Sequence, residues 1–133
     1  MLKLIGTTLI MGSPLKILAV DDEPSIAQSM RFIFARPDYE VSSAQDGETA
    51  LAQLAAESDP FDVVITDNNM PGVSGVEFVR QLRQRSFAGK IMVLSAHLST
   101  DVRAAYKEMD VDALIEKPFS VQALRKALDK LAA

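Results

Sequence analysis

A chain of 133 residues, 48% hydrophobic and 24% charged, has the size and balance of one globular domain that buries roughly two-thirds of its unfolded surface, which excludes a disordered chain or a membrane-spanning bundle. It has no cysteine, so disulfides, thiolate zinc sites and cysteine nucleophiles are ruled out. A net charge of −4 without a Lys/Arg cluster argues against a nucleic-acid surface.

In chain order, residues 1–13 come first and stand apart. They are apolar but too short for a membrane span, and Lys3 and Gly6 interrupt them. They also make a poor signal peptide. The expectation is an N-terminal extension of unknown role, dispensable or an upstream start with Met11 as the alternative. Packing of this apolar segment on its own domain or on a second copy is the sharper reading. The domain itself is assigned to residues 14–133.

From Leu15 onward, short apolar runs alternate with amphipathic helical patterns five times. The run 15–20 precedes a helix with Pro24 in its first turn, where no N–H is needed, and with Ile26, Met30, Ile33 and Phe34 on one face. A strand over 39–43, a turn at Asp46-Gly47 and a helix over 48–57 follow, with Ala50, Leu51 and Leu54 inward. The third strand spans 62–66 and the third helix 75–85, with Val76, Val79 and Leu82 inward. The fourth strand spans 90–94 and the fourth helix 101–109, with Val102, Ala105, Tyr106 and Met109 inward. A strand over 111–115 and a helix over 121–131, striped by Val121, Leu124, Leu128 and Leu131, complete the domain. Strands apolar on both faces and joined by helices imply an α/β fold with a parallel sheet covered on both sides. There is no internal repeat, low-complexity tract or linker, and so no second domain.

Such a sheet binds ligands outside the carboxyl ends of its strands. Five polar groups fall at that edge: Asp21 and Asp22 after the first strand, Asp67 after the third, Ser95 after the fourth and Lys117 after the fifth. Asp67, ending the run Val63-Val64-Ile65-Thr66, is the best candidate for a covalently reactive side chain. Three carboxylates that meet at one rim repel one another unless a cation joins them, so the chain calls for a divalent metal. Each residue also has a plainer reading: Asp22 before Glu23-Pro24 as a helix cap, Asp67 as a turn residue, Ser95 as a loop hydroxyl, Lys117 as a solvated cation. Their coincidence at one edge weighs against those readings together.

The pieces Val20-Asp21-Asp22-Glu23, Asp67-Asn68-Asn69-Met70-Pro71-Gly72 with Gly75 beyond, Leu94-Ser95-Ala96 and Lys117-Pro118-Phe119, in this order and spacing, resemble the receiver domain of two-component response regulators. The resemblance covers about residues 15–131 and is to a receiver of the single-domain chemotaxis type. It implies a flavodoxin-like five-stranded parallel sheet, order 2-1-3-4-5, with five helices on two faces. It implies Asp67 as phosphoacceptor for a histidine kinase or histidine phosphotransfer domain. By the family's pattern Mg²⁺, or Mn²⁺ in its stead, is held by Asp22 and Asp67 directly, by Asp21 through water and by the backbone carbonyl of Asn69. Lys117 pairs with Asp67 before transfer and with a phosphate oxygen afterwards, Ser95 offers a switch hydroxyl, and Lys117-Pro118 is a cis peptide. The implied protein is a cytoplasmic signalling module that controls an unknown downstream protein or pairs with a second copy. It is no enzyme beyond self-phosphorylation and self-dephosphorylation.

Two features depart from that pattern. Leu114 stands three residues before the lysine, where receivers commonly carry a Tyr or Phe whose ring reports the hydroxyl's movement, so output through the fourth helix or through dimerisation becomes the alternative. Asp110 stands where a glycine is common, and Asp is among the few residues that tolerate a left-handed turn. His97, the only histidine, reads first as an exposed loop residue and second as a group that tunes the phosphate's lifetime. A magnesium-dependent aspartyl-phosphate phosphatase is the competing class. Phosphatases of the haloacid-dehalogenase type want an acid two residues after the nucleophile, and Asn69 occupies that position. A receiver excised from a larger regulator stays open as well, and a degenerate receiver that binds without phosphorylation is disfavoured by the presence of the acids, the hydroxyl and the lysine together.

Overall fold

The computed structural model describes residues 3–5, 8–10 and 14–132. β1 (Lys3–Ile5) and β2 (Thr8–Ile10) form a two-stranded antiparallel sheet of their own. The role expected of residues 1–13, packing on the domain or on a second copy, lies outside the described residues.

The strands and helices then alternate: β3 (Leu15–Val20), α1 (Pro24–Ile33), β4 (Tyr39–Ala44), α2 (Gly47–Ala56), β5 (Val63–Asp67), α3 (Gly75–Gln84), β6 (Lys90–Ser95), α4 (Thr100–Glu108), β7 (Ala113–Glu116) and α5 (Val121–Ala132). The five strands from Leu15 pair in parallel in the order β4-β3-β5-β6-β7, which is 2-1-3-4-5 counted from Leu15.

Period-two alternation in the central strands divides the core in two. On one face Ile17, Ala19, Val63, Ile65, Met92 and Leu94 meet Met30 and Phe34 from the α1 end and Leu124 and Leu128 of α5. On the other, Leu18, Val20, Val64, Ile91 and Val93 meet Ala50 and Leu51 of α2, Phe78, Val79 and Leu82 of α3, and Tyr106 of α4. Each large aliphatic side chain fully buried here contributes about 1.5–3 kcal/mol, enough to hold β3, β5 and β6 in a single register.

The helices begin where their caps are. Asp46 accepts from the Thr49 N–H at 2.7 Å, Ser74 from Glu77 at 3.2 Å and Ser99 from Val102 at 3.2 Å. Pro24 opens α1 as expected, but Asp22 is not its cap. The capping position is Glu23, which makes no side-chain cap bond, and it is Asp21 that accepts the Glu23 N–H, at 2.9 Å.

Other sequence expectations shift. Apolarity on both faces holds for β3, β5 and β6, whereas β4 and β7 are half-buried edge strands. The last strand begins at Ala113, because the N–H groups of Met109, Asp110 and Val111 are still spent on the carbonyls of the helix end. Val121, expected inward, is 47% exposed, since the first turn of α5 lies beyond the edge of the core. In α4 the buried residue is Tyr106, while Val102, Ala105 and Met109 are half-buried.

α4 is also held from the side. Arg83 of α3 donates from Nε to the Met109 carbonyl at 2.8 Å and from Nη2 to the Asp110 carbonyl at 2.7 Å, clamping the helix's carboxyl end. Asp110 takes up a left-handed conformation there, with φ of 54°. Nearer the other end, Arg103 forms an exposed ion pair with Glu116 of β7.

Candidate functional site

The five polar residues stand where the strands end. β3 runs into Asp21 and Asp22, Asp67 and Ser95 are the last residues of β5 and β6, and Lys117 follows β7. Because the strands are parallel and in register, their carboxyl ends open onto one rim.

Asp21 and Asp67 are buried and Asp22 is exposed, and ligand oxygens of the three lie within 4.8 Å of one another. The Lys117 ammonium stands between the two buried acids, 3.6 Å from Asp21 Oδ2 and 3.5 Å from Asp67 Oδ1. Asp67 Oδ1 also accepts the Asn68 N–H at 2.9 Å. Burial raises the Asp21 carboxyl above the usual range, the Glu23 N–H and the Lys117 ammonium oppose that rise, and the charges on Asp67 and Asp22 add to it. One ammonium facing three carboxylates leaves surplus negative charge in a partly desolvated corner. Hard oxygen donors without histidine or cysteine suit a divalent ion of the magnesium class rather than zinc.

Ser95 is buried, and its hydroxyl donates to the His97 carbonyl at 3.0 Å and accepts the His97 N–H at 3.3 Å. Its described bonds are thus spent on the main chain of its own loop. Asn69 and His97 are exposed on their loops. Lys117-Pro118 is a cis peptide, and Arg36-Pro37 is another.

Asn68 and Tyr106 belong to this region too: the sequence places Tyr106 on the inward stripe of α4 and Asn68 in the motif after Asp67, but does not join them. The Tyr106 hydroxyl donates to Asn68 Oδ1 across 38 residues of chain. The signal that could have found the pair is chemical: a tyrosine on a buried stripe must find its hydroxyl a partner.

The family model described as "Response regulator receiver domain" matches residues 17–129. This chain belongs to the response regulator receiver domain family. As a receiver it is a module of two-component signalling rather than a classical enzyme, and receivers interact with histidine kinases or phosphotransfer proteins. The response regulator MprA of Mycolicibacterium vanbaalenii is 38% identical over 111 residues, which cover 84% of this chain and 47% of the relative. The alkaline phosphatase synthesis transcriptional regulatory protein PhoP of Bacillus subtilis is 36% identical over 105 residues, 79% of this chain and 43% of the relative. The receiver spans about half the length of the curated relatives it matches. Among solved structures, the Vibrio cholerae chemotaxis protein CheY4 superposes with a TM-score of 0.80 at 35% identity, covering 89% of this chain and 98% of that one. A response regulator receiver domain protein from Clostridium thermocellum gives a TM-score of 0.79 at 27% identity, covering 88% and 93%. Among the described residues no helix is long and apolar enough to cross a membrane.

Proposed function

We propose that Asp67 is the phosphoacceptor of this receiver and that Asp21, Asp22, Asp67 and the Asn69 backbone carbonyl hold the Mg²⁺ the reaction needs, with Mn²⁺ as a substitute. The observation that carries this reading is the Lys117 ammonium 3.5 Å from Asp67 Oδ1 and 3.6 Å from Asp21 Oδ2, at a rim where three carboxylates converge. When bound, the metal neutralises charge on the phosphoryl oxygens. The chain's own residues do the rest. Asp67 attacks the phosphorus of a phosphohistidine, an O–P bond forms as the N–P bond breaks, and the departing imidazole nitrogen takes up a proton. Lys117 then follows the charge from the carboxylate to a phosphate oxygen. The Ser95 hydroxyl, released from the His97 main chain, serves as the donor that draws its loop towards the phosphoryl group. Self-phosphorylation from a small donor and self-dephosphorylation use the same groups.

The partners in this reading are a sensor histidine kinase or a histidine phosphotransfer domain upstream and an unidentified protein downstream that binds the surface around α4 and β7, a second copy being the alternative. No nucleic acid is contacted by the receiver itself. Residues 14–133 form the functional unit, with 1–13 as an extension. The cytoplasm, where a phosphohistidine made from ATP is at hand, is the compartment this chemistry calls for.

The test is labelling by acetyl phosphate with Mg²⁺, read by intact mass. Asp67→Asn should abolish the phosphoryl adduct, and a mark found elsewhere in that variant would refute the assignment. Lys117→Ala should retain metal binding but lose the response of α4, and a full response in its phosphorylated form would remove Lys117 from the account.

A further inference from the structure

Asn68 occupies the position after the phosphoacceptor and is held from every side. Its N–H is shared between Asp67 Oδ1 at 2.9 Å and the Leu94 carbonyl at 3.1 Å, and its own carbonyl accepts the Gly75 N–H at 2.9 Å. Its side-chain oxygen accepts the Tyr106 hydroxyl. Tyr106 is fully buried and comes from α4, on the far side of the loop.

Glycine at 75 makes room for this contact. A Cβ there would stand 2.6 Å from the Tyr106 hydroxyl, 2.7 Å from Asn68 Cα and 2.7 Å from the Asp67 carbonyl. Burial, with the Asp67 charge second, pushes the phenol well above its ordinary range, so Tyr106 stays protonated and remains a donor. Leu114, by contrast, is an aliphatic half-buried in the same core cluster, with no hydroxyl to exchange partners.

We propose that Tyr106 and Asn68 form the link through which the state of Asp67 reaches α4, with Tyr106 a positioning residue that acts through Asn68. The inference rests on Asp67 being the phosphoacceptor. Esterification moves negative charge from the carboxylate onto the phosphoryl oxygens, and the charge-assisted bond from the Asn68 N–H weakens. Asn68, still tied through its main chain to the Leu94 carbonyl and the Gly75 N–H, then shifts towards the Leu94 side, its side-chain oxygen moves with it, and the phenol carries α4 along. A packed tyrosine whose hydroxyl has one partner among the described residues can be either bonded or released, the two arrangements that a switch element requires.

Two measurements test this. In the first, backbone amide spectra compare the bare protein with the protein loaded with Mg²⁺ and beryllofluoride. In the wild type the resonances of the Asp67 loop and of α4 both shift. In Tyr106→Phe, and independently in Asn68→Ala, the loop still shifts while the α4 changes fall to the level of an Asp67→Asn control. Either variant keeping the wild-type α4 response overturns the link. In the second, Tyr39→Phe leaves Tyr106 as the sole emitter, because the chain has two tyrosines and no tryptophan. Its emission changes on beryllofluoride loading, and emission that stays constant while the loop amides shift overturns the proposal. A wild type that forms no phosphoryl adduct refutes the phosphoacceptor reading, whereas an adduct with an unaltered α4 response in the variants refutes the Tyr106 link alone.

Discussion

Replacing Gly75 by alanine probes how tightly the loop after Asp67 is packed. In an unstrained position the exchange stabilises by about 0.4–1 kcal/mol, because alanine has less freedom to lose on folding. Here the new methyl group would stand 2.6–2.7 Å from three atoms, two of them main-chain atoms of Asp67 and Asn68. Carbon contacts settle at about 3.5–4.0 Å, so the loop must give by most of an ångström. Overpacking of this kind costs about 1–3 kcal/mol. Less the gain from lost freedom, the net cost is about 1.3 kcal/mol, which, set against an unfolding entropy of about 2.1 cal/mol/K per residue over 133 residues, lowers the melting temperature by roughly 5 °C. Gly72 is the control, with φ of 77° and nothing within 4 Å of a built Cβ, so Gly72→Ala incurs only backbone strain of about 1–2 kcal/mol. Thermal melts should find both variants destabilised, while labelling by acetyl phosphate should slow in Gly75→Ala alone, because only there does the obstruction lie against the acceptor's own main chain. A Gly75→Ala protein that melts at or above the wild-type temperature, or labels at the wild-type rate, would refute the reasoning.

Three further outcomes follow from charge and burial. Without metal, Asp21→Asn should be more stable than the wild type at neutral pH: a carboxyl raised above 3.8 in the fold costs stability once the pH exceeds that value, and the cost is fully developed above its folded pKa. Denaturant titrations should therefore show the gap closing as the pH falls below 3.8, and saturating Mg²⁺ should reverse the order by rewarding the intact ligand set. Both tyrosines are raised above 10.0, so ultraviolet titration of the native protein should show neither ionising at its ordinary value. Because the unfolded phenols release protons first, stability should fall as the pH rises above 10.0, by up to about 1.4 kcal/mol per pH unit for the buried Tyr106 and by less for the more exposed Tyr39, whose charge is screened by solvent, and native-state ionisation of Tyr106 at the ordinary value would contradict its burial. Ser74→Ala removes the cap of α3 and should cost about 1 kcal/mol while sparing phosphorylation.

Much of this is legible in residue order because burial on both faces writes itself as unbroken apolar runs. Leu15 to Val20 and Val63 to Ile65 can be read as central strands, and the acids that end them can then be assigned to one rim by topology alone. The edge strand β4 is harder, since Tyr-Glu-Val-Ser-Ser-Ala carries the mixed polarity of a half-covered surface. Helical stripes identify a face but not where the core stops, which is why Val121 and the flanks of α4 read as more deeply buried than they are. The Tyr106–Asn68 contact is invisible for another reason. It joins residues 38 apart through a side-chain oxygen, and no local periodicity encodes such a pair. The Ser95 hydroxyl can likewise be foreseen as a donor, but its engagement with the His97 main chain depends on how the loop closes.

The grip of Arg83 on the Met109 and Asp110 carbonyls has a mechanical meaning. In the proposed switch α4, pinned at its carboxyl end by Arg83 and in its last turn by Tyr106, turns as a lever whose fulcrum is the guanidinium. Its nine residues span about 13 Å, so a tilt of only ten degrees or so sweeps the Thr100 tip through roughly 2 Å while the pivot hardly stirs. Whatever grasps this protein to learn its state should therefore touch the tip rather than the hinge.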